Sequence, residues 1–205
     1  MVRNLITVVG GSCKRWDTLR DAQFAKIKEE LENGVRKSWQ GLNQETNLKR
    51  PGDTRWGSYY GTILNLILMF STIVNVLEII EEDGLSDQKV EARSIMRSIL
   101  SFEFVFPLHL MKNILGITNE LSIALPKKKK NQDIVNAVDL VKVSKQRLQV
   151  MRDDEWISLL TEVSSFWTTY DIPILKINEI FVVSRRPQRN TQQNTNLYHY
   201  LVELF

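Results

Sequence analysis

The sequence has a single cysteine, Cys13, among its 205 residues. One cysteine can form neither an internal disulfide nor a cysteine-rich zinc site, so both are excluded for this chain. Disulfides accumulate in proteins of oxidising compartments, and we therefore expect an intracellular, reduced protein. The first residues, MVRNLITVVGGSCKRW, have only a short apolar core followed at once by polar sequence, which does not fit a signal peptide.

The common motifs of catalytic and metal chemistry are also absent. The sequence contains no HExxH, CxxC, GxSxG, Walker-type or GxGxxG pattern. Its two histidines, His109 and His199, are far apart, and His109 is better explained as a structural residue than as a ligand. The acidic residues at 78–83 fit a solvated helix end. Those at 153–155 fit negative charge in the first turn of a helix, which the helix dipole favours.

Charge of one sign does not dominate, since the formal net charge is only +3. A basic contact surface would therefore have to come from local clustering. Lys127, Lys128, Lys129 and Lys130 form one such cluster, which would favour a polyanion through counterion release. A solubilising loop explains it at least as well. The same two explanations apply to a second cluster, Arg185, Arg186 and Arg189.

The most prominent feature that is present is an apolar run between 51 and 84. It begins with turn and capping residues, PGDT, and ends at Asp83-Gly84, a helix-stop signal. We expect a central helix over Thr62–Glu82. Its polar residues Ser71, Asn75, Glu78 and Glu82 fall on one stripe, which favours a core helix of a soluble domain over a membrane span.

The rest of the pattern predicts a mainly α fold, a multi-helix bundle with little or no strand, in a single helical region 1–205. Residues 2–9 fit strand or helix. Further helices are expected from Ser12 or Asp17 to about 33, over about 90–104 and 108–125 with a break or kink at Pro107, from Asp133, and over 154–168. Those at 90–104, 108–125 and 154–168 are expected to pack around the central helix. The segments 34–52, 126–132 and 171–196 are expected to be a connector, a basic loop and a linker. The abrupt end at Phe205 suggests that the natural chain continues.

Helical spacing assigns an apolar face to four of these helices. The expected core residues are Trp16, Leu19, Phe24, Ile27 and Leu31; then Ala92, Ile95, Met96, Ile99 and Phe102; then Ile134, Ala137, Val138, Val141 and Leu148; and finally Trp156, Leu159, Leu160, Val163, Phe166 and Trp167.

Arg55 and Trp56 stand where the connector meets the central helix. An aromatic ring beside an arginine at such a junction can stack on an exposed base while the arginine contacts phosphate. The alternative is a core tryptophan that anchors the start of the helix. The chemistry of the two residues alone favours this alternative.

The segment TRWGSYY, followed by a long apolar helix, resembles the TRWNS-x-Y segment of hAT-type (hobo–Activator) transposases. The wider chain is similar to one branch of transposon-derived proteins, named TTF-type or MYM-type zinc-finger proteins with a hAT dimerisation domain. The resemblance covers essentially the whole chain. Its stretches are NLITVVGGSCKRWDTLRDAQ, LNQETNLKRPGDTRWGSYYGTILNLI, VLEIIEEDG, FVFPLHLMKNILGITNELS, QDIVNAVDLVKVSKQRLQVMRD and TNLYHYLVELF.

The resemblance implies a fragment rather than a complete enzyme. Such transposases have an RNase H-like catalytic core interrupted by a large helical insertion, and two Asp and a Glu of that core hold divalent metal ions. This chain is similar to the insertion, beyond the second Asp and a Cys-x-x-His motif and before the Glu and the C-terminal dimerisation segment. No residue here matches the acidic triad, so we expect no catalysis and no cofactor in this chain.

Only Arg55 and Trp56 can be carried over from the family, whose tryptophan stacks on a base flipped out during hairpin formation. This brings base stacking level with the core-anchor alternative for Trp56. Gly57 replaces the usual Asn, and Pro126 precedes the lysine run in place of a milder polar turn. The resemblance implies DNA as a partner, and a second copy bound through a missing dimerisation segment. The expected DNA contacts are Arg55 and Trp56 from the resemblance, and Lys127, Lys128, Lys129 and Lys130 from their local charge. The implied location is the nucleus, with no membrane. A domesticated helical scaffold for protein interactions, without DNA binding, remains the alternative.

Overall fold

The computed structural model describes residues 2–32, 56–125, 131–172, 178–180 and 195–204. These residues form a mainly α fold, as the sequence predicts. Within the described ranges the one element of strand pairing is an isolated antiparallel bridge between Ile180 and Thr195. The chain divides into two compact units, Met1–Ile99 and Leu100–Phe205.

The described residues of the first unit form five helices: α1, Val2–Val9; α2, Cys13–Glu32; α3, Trp56–Leu68; α4, Phe70–Asp83; and α5, Ser86–Ile99. Residues 2–9, which fitted strand or helix, are helical, and Leu5, Val8 and Val9 are buried on one side. α4 lies at the centre of this unit and contacts α1, α2, α3 and α5.

α2 begins after Ser12, as predicted, but its buried face is narrower than expected. Leu19 is buried, whereas Phe24, predicted to lie in the core, is 53% exposed. On an ideal helix Phe24 lies about 140° around the axis from Leu19, so the two side chains cannot both face α4. The side chains of Ile27 and Leu31 lie outside the described part of the chain.

The single central helix predicted over Thr62–Glu82 is wrong in one respect, because it is two helices bent by 70°. Met69 lies at the bend with φ −97° and ψ 10°. The hydrogen bonds continue across it, since the Met69 N–H donates to the Asn65 carbonyl and the Ile73 N–H donates to the Met69 carbonyl, each at 2.9 Å. Neither proline nor glycine stands at the bend, so the sequence offers no local signal for it.

The polar stripe predicted on the second half of this run is confirmed for three of its four residues, while the fourth, Ser71, is half-buried. Asn75, Glu78 and Glu82 are exposed, while Val76 and Leu77 are buried.

Among the described helices, none is by itself long and apolar enough to cross a bilayer. Two bent pairs, α3 with α4 and α5 with the helix that follows it, are long and apolar enough only when both helices are counted together.

α5 buries Ala92, Ile95 and Ile99, as predicted. The bounds predicted for this helix, about 90–104, are wrong, because it begins at Ser86 and ends at Ile99, and Phe102 is the first residue of the next helix. It pairs with α4 through the Arg93 Nε, which lies 2.7 Å from the Glu81 Oε1. The acidic end of α4 is therefore a solvated helix end with a partner on α5. The helices expected around 108–125 and 154–168 belong to the second unit.

The second unit holds α6, Phe102–Ala124; α7, Asn131–Asp154; α8, Trp156–Tyr170; the short α9, Asn196–Tyr198; and a π-helix, His199–Leu204. α6 contacts both α7 and α8, and α7 also contacts α8. α7 begins at Asn131, two residues before the predicted cap Asp133, and so takes in the end of the predicted basic loop 126–132.

The break predicted at Pro107 is also wrong, because α6 runs through that residue. The helix starts earlier, with the Val105 N–H donating to the Ser101 carbonyl at 3.1 Å. Proline inside a helix costs about 3 kcal/mol or more. Its neighbours Val105, Phe106 and Leu108 are all buried, and each such side chain contributes about 1.5–3 kcal/mol, so their burial outweighs the missing hydrogen bond.

The boundary between α7 and α8 differs from the prediction as well. Asp153 and Asp154 form the last turn of α7 rather than the first turn of α8, and Glu155 separates the two helices. The hydrogen-bond ladder of α7 continues to this point, since the Glu155 N–H donates to the Met151 carbonyl at 3.2 Å. Buried Met151 anchors that turn. The apolar face predicted for α8 is confirmed by the burial of Leu159, Val163 and Trp167.

Aromatic rings fill the core of the second unit and join its last segment to α6 and α8. The Phe102 ring centroid lies 4.5 Å from that of Trp167 and 4.4 Å from that of Tyr200. The Thr195 hydroxyl oxygen accepts a hydrogen bond from the Tyr198 N–H at 3.2 Å and so caps α9. The apolar end of the chain, TNLYHYLVELF, thus includes a core residue, Tyr200, and burial raises its pKa.

Candidate functional site

The residues predicted to contact DNA fall mostly outside the described ranges. Trp56 is the first residue of α3, and its helical backbone is described but its side chain is not. Arg55 precedes that helix and lies outside the described residues, as do Lys127, Lys128, Lys129 and Lys130. The second basic cluster, at 185–189, lies outside them too. The distances between these predicted DNA contacts are therefore outside what the structure describes.

The first turns of α3, directly after Trp56, have an open surface. Gly57 is exposed, and a Cβ placed on Gly61 would meet no atom within 4 Å. Residues four apart lie on the same side of a helix, so Gly57 and Gly61 leave the backbone accessible along one side. Thr62, by contrast, is buried, and its hydroxyl donates to the Ser58 carbonyl at 2.8 Å. The start of α3 therefore has one buried side and one bare side.

This bare side is at the helix end where an anion is favoured. The first N–H groups of a helix have no partner within the helix, and the helix dipole adds partial positive charge there. Tyr59 in the same turn is exposed. The helix start suits phosphate oxygens, and the Tyr59 ring offers a surface on which a base can stack.

A second candidate site lies in the other unit, where α6 faces α8. α6 places His109 and Lys112 three residues apart, and α8 supplies Glu162. The Lys112 ammonium donates a hydrogen bond to the Glu162 carboxylate. The His109 Nδ1 lies 3.2 Å from the same carboxylate oxygen, in an orientation that does not meet hydrogen-bond geometry.

Burial separates the three members of this cluster. The side chain of His109 is only 3% exposed, while those of Lys112 and Glu162 are 24% and 37% exposed. The His109 Nε2 is buried and has no hydrogen-bond partner among the described residues. The ring of Phe166 meets the imidazole edge to face, with centroids 5.0 Å apart. His109 thus occupies the core position expected of a structural histidine.

The pKa values of the cluster follow from this geometry. Burial lowers the pKa of His109 because it disfavours the imidazolium, and nearby Lys112 lowers it further, while Glu162 acts in the opposite direction. Partial burial acts to raise the pKa of Glu162, but the hydrogen bond and charge of Lys112, with a smaller contribution from His109, bring it below its ordinary value. At neutral pH the cluster holds a neutral imidazole beside a lysine–carboxylate pair.

Sequence reasoning identified His109 but missed its partners. Lys112 and Glu162 are 50 residues apart, so no local pattern joins them. Across the described part of the chain, no group of three or more His, Cys, Asp or Glu residues is placed to hold a metal ion.

α7 carries a third feature, an apolar surface that its neighbours do not cover. Ile134 and Val135 are 65% and 64% exposed, and Val138 and Val141 are 48% and 38% exposed. The prediction that Ile134, Val138 and Val141 face the core is therefore wrong. α7 is buried at its other end, at Met151. We call Ile134, Val135, Val138 and Val141 the α7 aliphatic face.

No protein-family model, curated protein or solved structure matches this chain.

Proposed function

We propose that this chain is the helical insertion region of a hAT transposase-like, transposon-derived protein, and that it contributes contacts to DNA ends within a larger parent. The ordered resemblance along the whole sequence supports the family. The observation that carries the DNA contact is the position of Trp56 as the first residue of α3, directly after Arg55.

The open start of α3 supports this role physically. A phosphate can approach the start of α3, because Gly57 is exposed and Gly61 has no neighbour in the direction of a side chain. In this proposal Arg55 binds phosphate and Trp56 stacks on a base displaced from the duplex. Each such stacking interaction contributes about 1–3 kcal/mol.

In this proposal, DNA cleavage and joining are carried out by other parts of the parent protein. The acidic triad and its divalent metal ions would come from the RNase H-like core, and dimerisation from a separate C-terminal segment. The chain itself would then be a nuclear DNA-binding module without catalytic activity.

Trp56→Ala tests the stacking role. We expect the variant to lose affinity for hairpin or distorted-end DNA by about ten-fold or more, since 1.4 kcal/mol is a factor of ten, and to lose far less affinity for plain duplex. Phe24→Ala is the matched control, because Phe24 is an exposed aromatic residue in the same unit. Binding of both DNA forms and thermal unfolding are measured on each variant.

A core role for Trp56 predicts a different result. Truncating a buried tryptophan to alanine costs about 3–5 kcal/mol of stability. If Trp56→Ala lowers the unfolding midpoint strongly and leaves the ratio of hairpin to duplex affinity unchanged, the stacking role is wrong.

Arg55→Ala tests the phosphate interaction separately. It should weaken binding to every DNA and reduce the slope of log affinity against log salt by about 0.9 for each phosphate that is no longer neutralised. Arg97, exposed in the last turn of α5, provides the control variant Arg97→Ala. An equal change in slope for both variants would show only a general effect of charge.

The α7 aliphatic face favours a second candidate, a helical scaffold for protein interactions without DNA binding. Exposed aliphatic side chains on one surface of a helix are typical of sites that bind other proteins. Val138→Ser would then weaken binding of a partner protein while leaving the unfolding midpoint and any DNA binding unchanged. Failure of the unmodified chain to bind either hairpin or duplex DNA would favour this second candidate function.

A further inference from the structure

The cluster of His109, Lys112 and Glu162 has no part in the proposed DNA contact, yet it lies directly between α6 and α8. Glu162 on α8 receives the hydrogen bond of Lys112 from α6, so the carboxylate is already neutralised by one cation. His109 is the buried member, with its Nδ1 3.2 Å from the same oxygen. A second positive charge at this point would have no anion of its own.

The surroundings of the imidazole make its protonation costly for a second reason. Adding a proton to Nε2 would create a buried N–H donor, and no described residue offers it an acceptor. Phe166 on α8 covers the ring edge to face, with centroids 5.0 Å apart. A buried donor without an acceptor costs about 1–3 kcal/mol, and more when it is charged.

Two other interactions of charged groups described in the second unit lie elsewhere. Arg147 on α7 pairs with Glu120, which lies about 16 Å further along α6 than His109. Glu103 on α6 acts on Tyr200 of the π-helix. The described groups that set the charge state of His109 are therefore Glu162, which favours the proton, and Lys112, which opposes it.

We propose that His109 makes the contact between α6 and α8 an acid-sensitive latch, in which the neutral imidazole keeps α8 packed and its protonation loosens α8 around Glu162 and Trp167. Lys112 acts as the positioning residue that sets the direction of the response, because it occupies the carboxylate that would otherwise stabilise the imidazolium. The consequence of opening is exposure of the apolar face of α8, Leu159, Val163 and Trp167.

The pH window follows from the lowered pKa of His109. A group whose pKa is lower in the folded state than the ordinary 6.5 contributes its full stability above pH 6.5, and this stability is lost as the pH falls through the folded-state pKa. The latch therefore opens below pH 6.5. Protonation of Glu162 cannot account for that step, because the pKa of this carboxyl lies below its ordinary 4.5.

The first experiment follows the full-length chain from neutral pH down to about pH 5, within the range where histidine titrates. Hydrogen exchange of the α8 amides, corrected for the intrinsic effect of pH, and tryptophan fluorescence report the opening. We expect α8 to lose protection below pH 6.5 in the unmodified chain and to keep it in His109→Leu and in His109→Gln, which provides a second neutral side chain should the first variant fail to fold.

His199→Gln is the matched control, because it removes the only other histidine of the sequence. It should leave the acid step unchanged and assign the histidine signals in the NMR spectrum. An acid step that persists in both His109 variants, or that is lost in His199→Gln, would overturn the proposal. So would full protection of α8 in the unmodified chain down to pH 5.

Lys112→Met separates a latch from a merely structural cluster. Without the lysine, Glu162 would have His109 as its cation, so the His109 titration midpoint should rise and the acid step should shrink or reverse to stabilisation. Glu162→Gln should move the midpoint in the opposite direction, to lower pH. Midpoints that remain unchanged in both variants would contradict the role given to Lys112.

Discussion

Gly61 and Gly10 differ in the space that is available for a side chain. A Cβ on Gly61 in α3 would meet nothing within 4 Å. A Cβ on Gly10, between α1 and α2, would lie 2.7 Å from the Ile6 carbonyl oxygen, a backbone atom that cannot move away without shifting α1. The Trp16 indole N–H also donates to the Gly10 carbonyl, at 3.1 Å. One position tolerates a side chain and the other does not.

We therefore predict opposite effects for the same substitution. Gly61→Ala should stabilise the first unit by about 0.5–1 kcal/mol, because alanine loses less backbone entropy in a helix than glycine does. Gly10→Ala should destabilise it by about 1–3 kcal/mol through overpacking. Urea denaturation of the two variants beside the unmodified chain measures both effects. Loss of stability in Gly61→Ala would mean that the bare side of α3 is covered, which would weaken the proposed DNA contact.

At the scale of elements, α6 contains the one helical proline of the described chain, Pro107. Pro107→Ala would restore an N–H facing the Glu103 carbonyl and relieve the clash of the ring with the preceding turn. A proline costs about 3 kcal/mol in a helix interior and recovers up to about 1 kcal/mol by restricting the unfolded chain. We expect a net gain of about 2 kcal/mol, measured by chemical denaturation. Unchanged or lower stability would show that α6 depends on a bend at Pro107.

The sequence predicts a helix and its buried face well where apolar residues recur with a regular period. It predicts bends and helix boundaries poorly, because contacts with other helices decide where these fall. The buried faces of α8 and α5 follow directly from the spacing of their apolar residues. The bend at Met69 has no proline or glycine to mark it. Continuation through Pro107 depends on the burial of its neighbours, which a local rule for proline does not include.

Long-range contacts limit the prediction of sites in the same way. His109 could be recognised as a core residue from its apolar neighbours, but its pairing with Glu162 depends on how α8 packs against α6. The exposure of the α7 aliphatic face likewise depends on what covers a helix, and the period of the sequence does not contain that information. The chemistry of Arg55 and Trp56 made base stacking one of two alternatives, the resemblance raised it to equal weight, and their role stays a prediction.

At the scale of the whole molecule, we predict that the purified chain neither cleaves nor joins DNA. The sequence offers no residue that matches the acidic triad of the family it resembles, and strand cleavage of that kind needs carboxylates that hold two metal ions. Incubation of supercoiled and linear DNA with the chain and Mg²⁺ or Mn²⁺ measures this. Metal-dependent nicking that a point substitution within the chain abolishes would contradict it.

The lysine run, Lys127 to Lys130, is a large local charge in a chain whose formal net charge is only +3. Replacing Lys127, Lys128, Lys129 and Lys130 by glutamine removes four positive charges and reverses the sign of the net charge. If these lysines bind phosphates, the slope of log affinity against log salt should fall by about 0.9 for each phosphate that is no longer neutralised, for hairpin and duplex DNA alike. If they form a solubilising loop, the slope should stay constant while solubility at neutral pH decreases, since a protein near zero net charge associates more readily.

The control for total charge replaces four exposed cations of α7 by glutamine: Lys142, Lys145, Arg147 and Arg152. Equal slopes in the two quadruple variants would remove the lysine run from the proposed DNA contact and leave Arg55 and Trp56 to account for it.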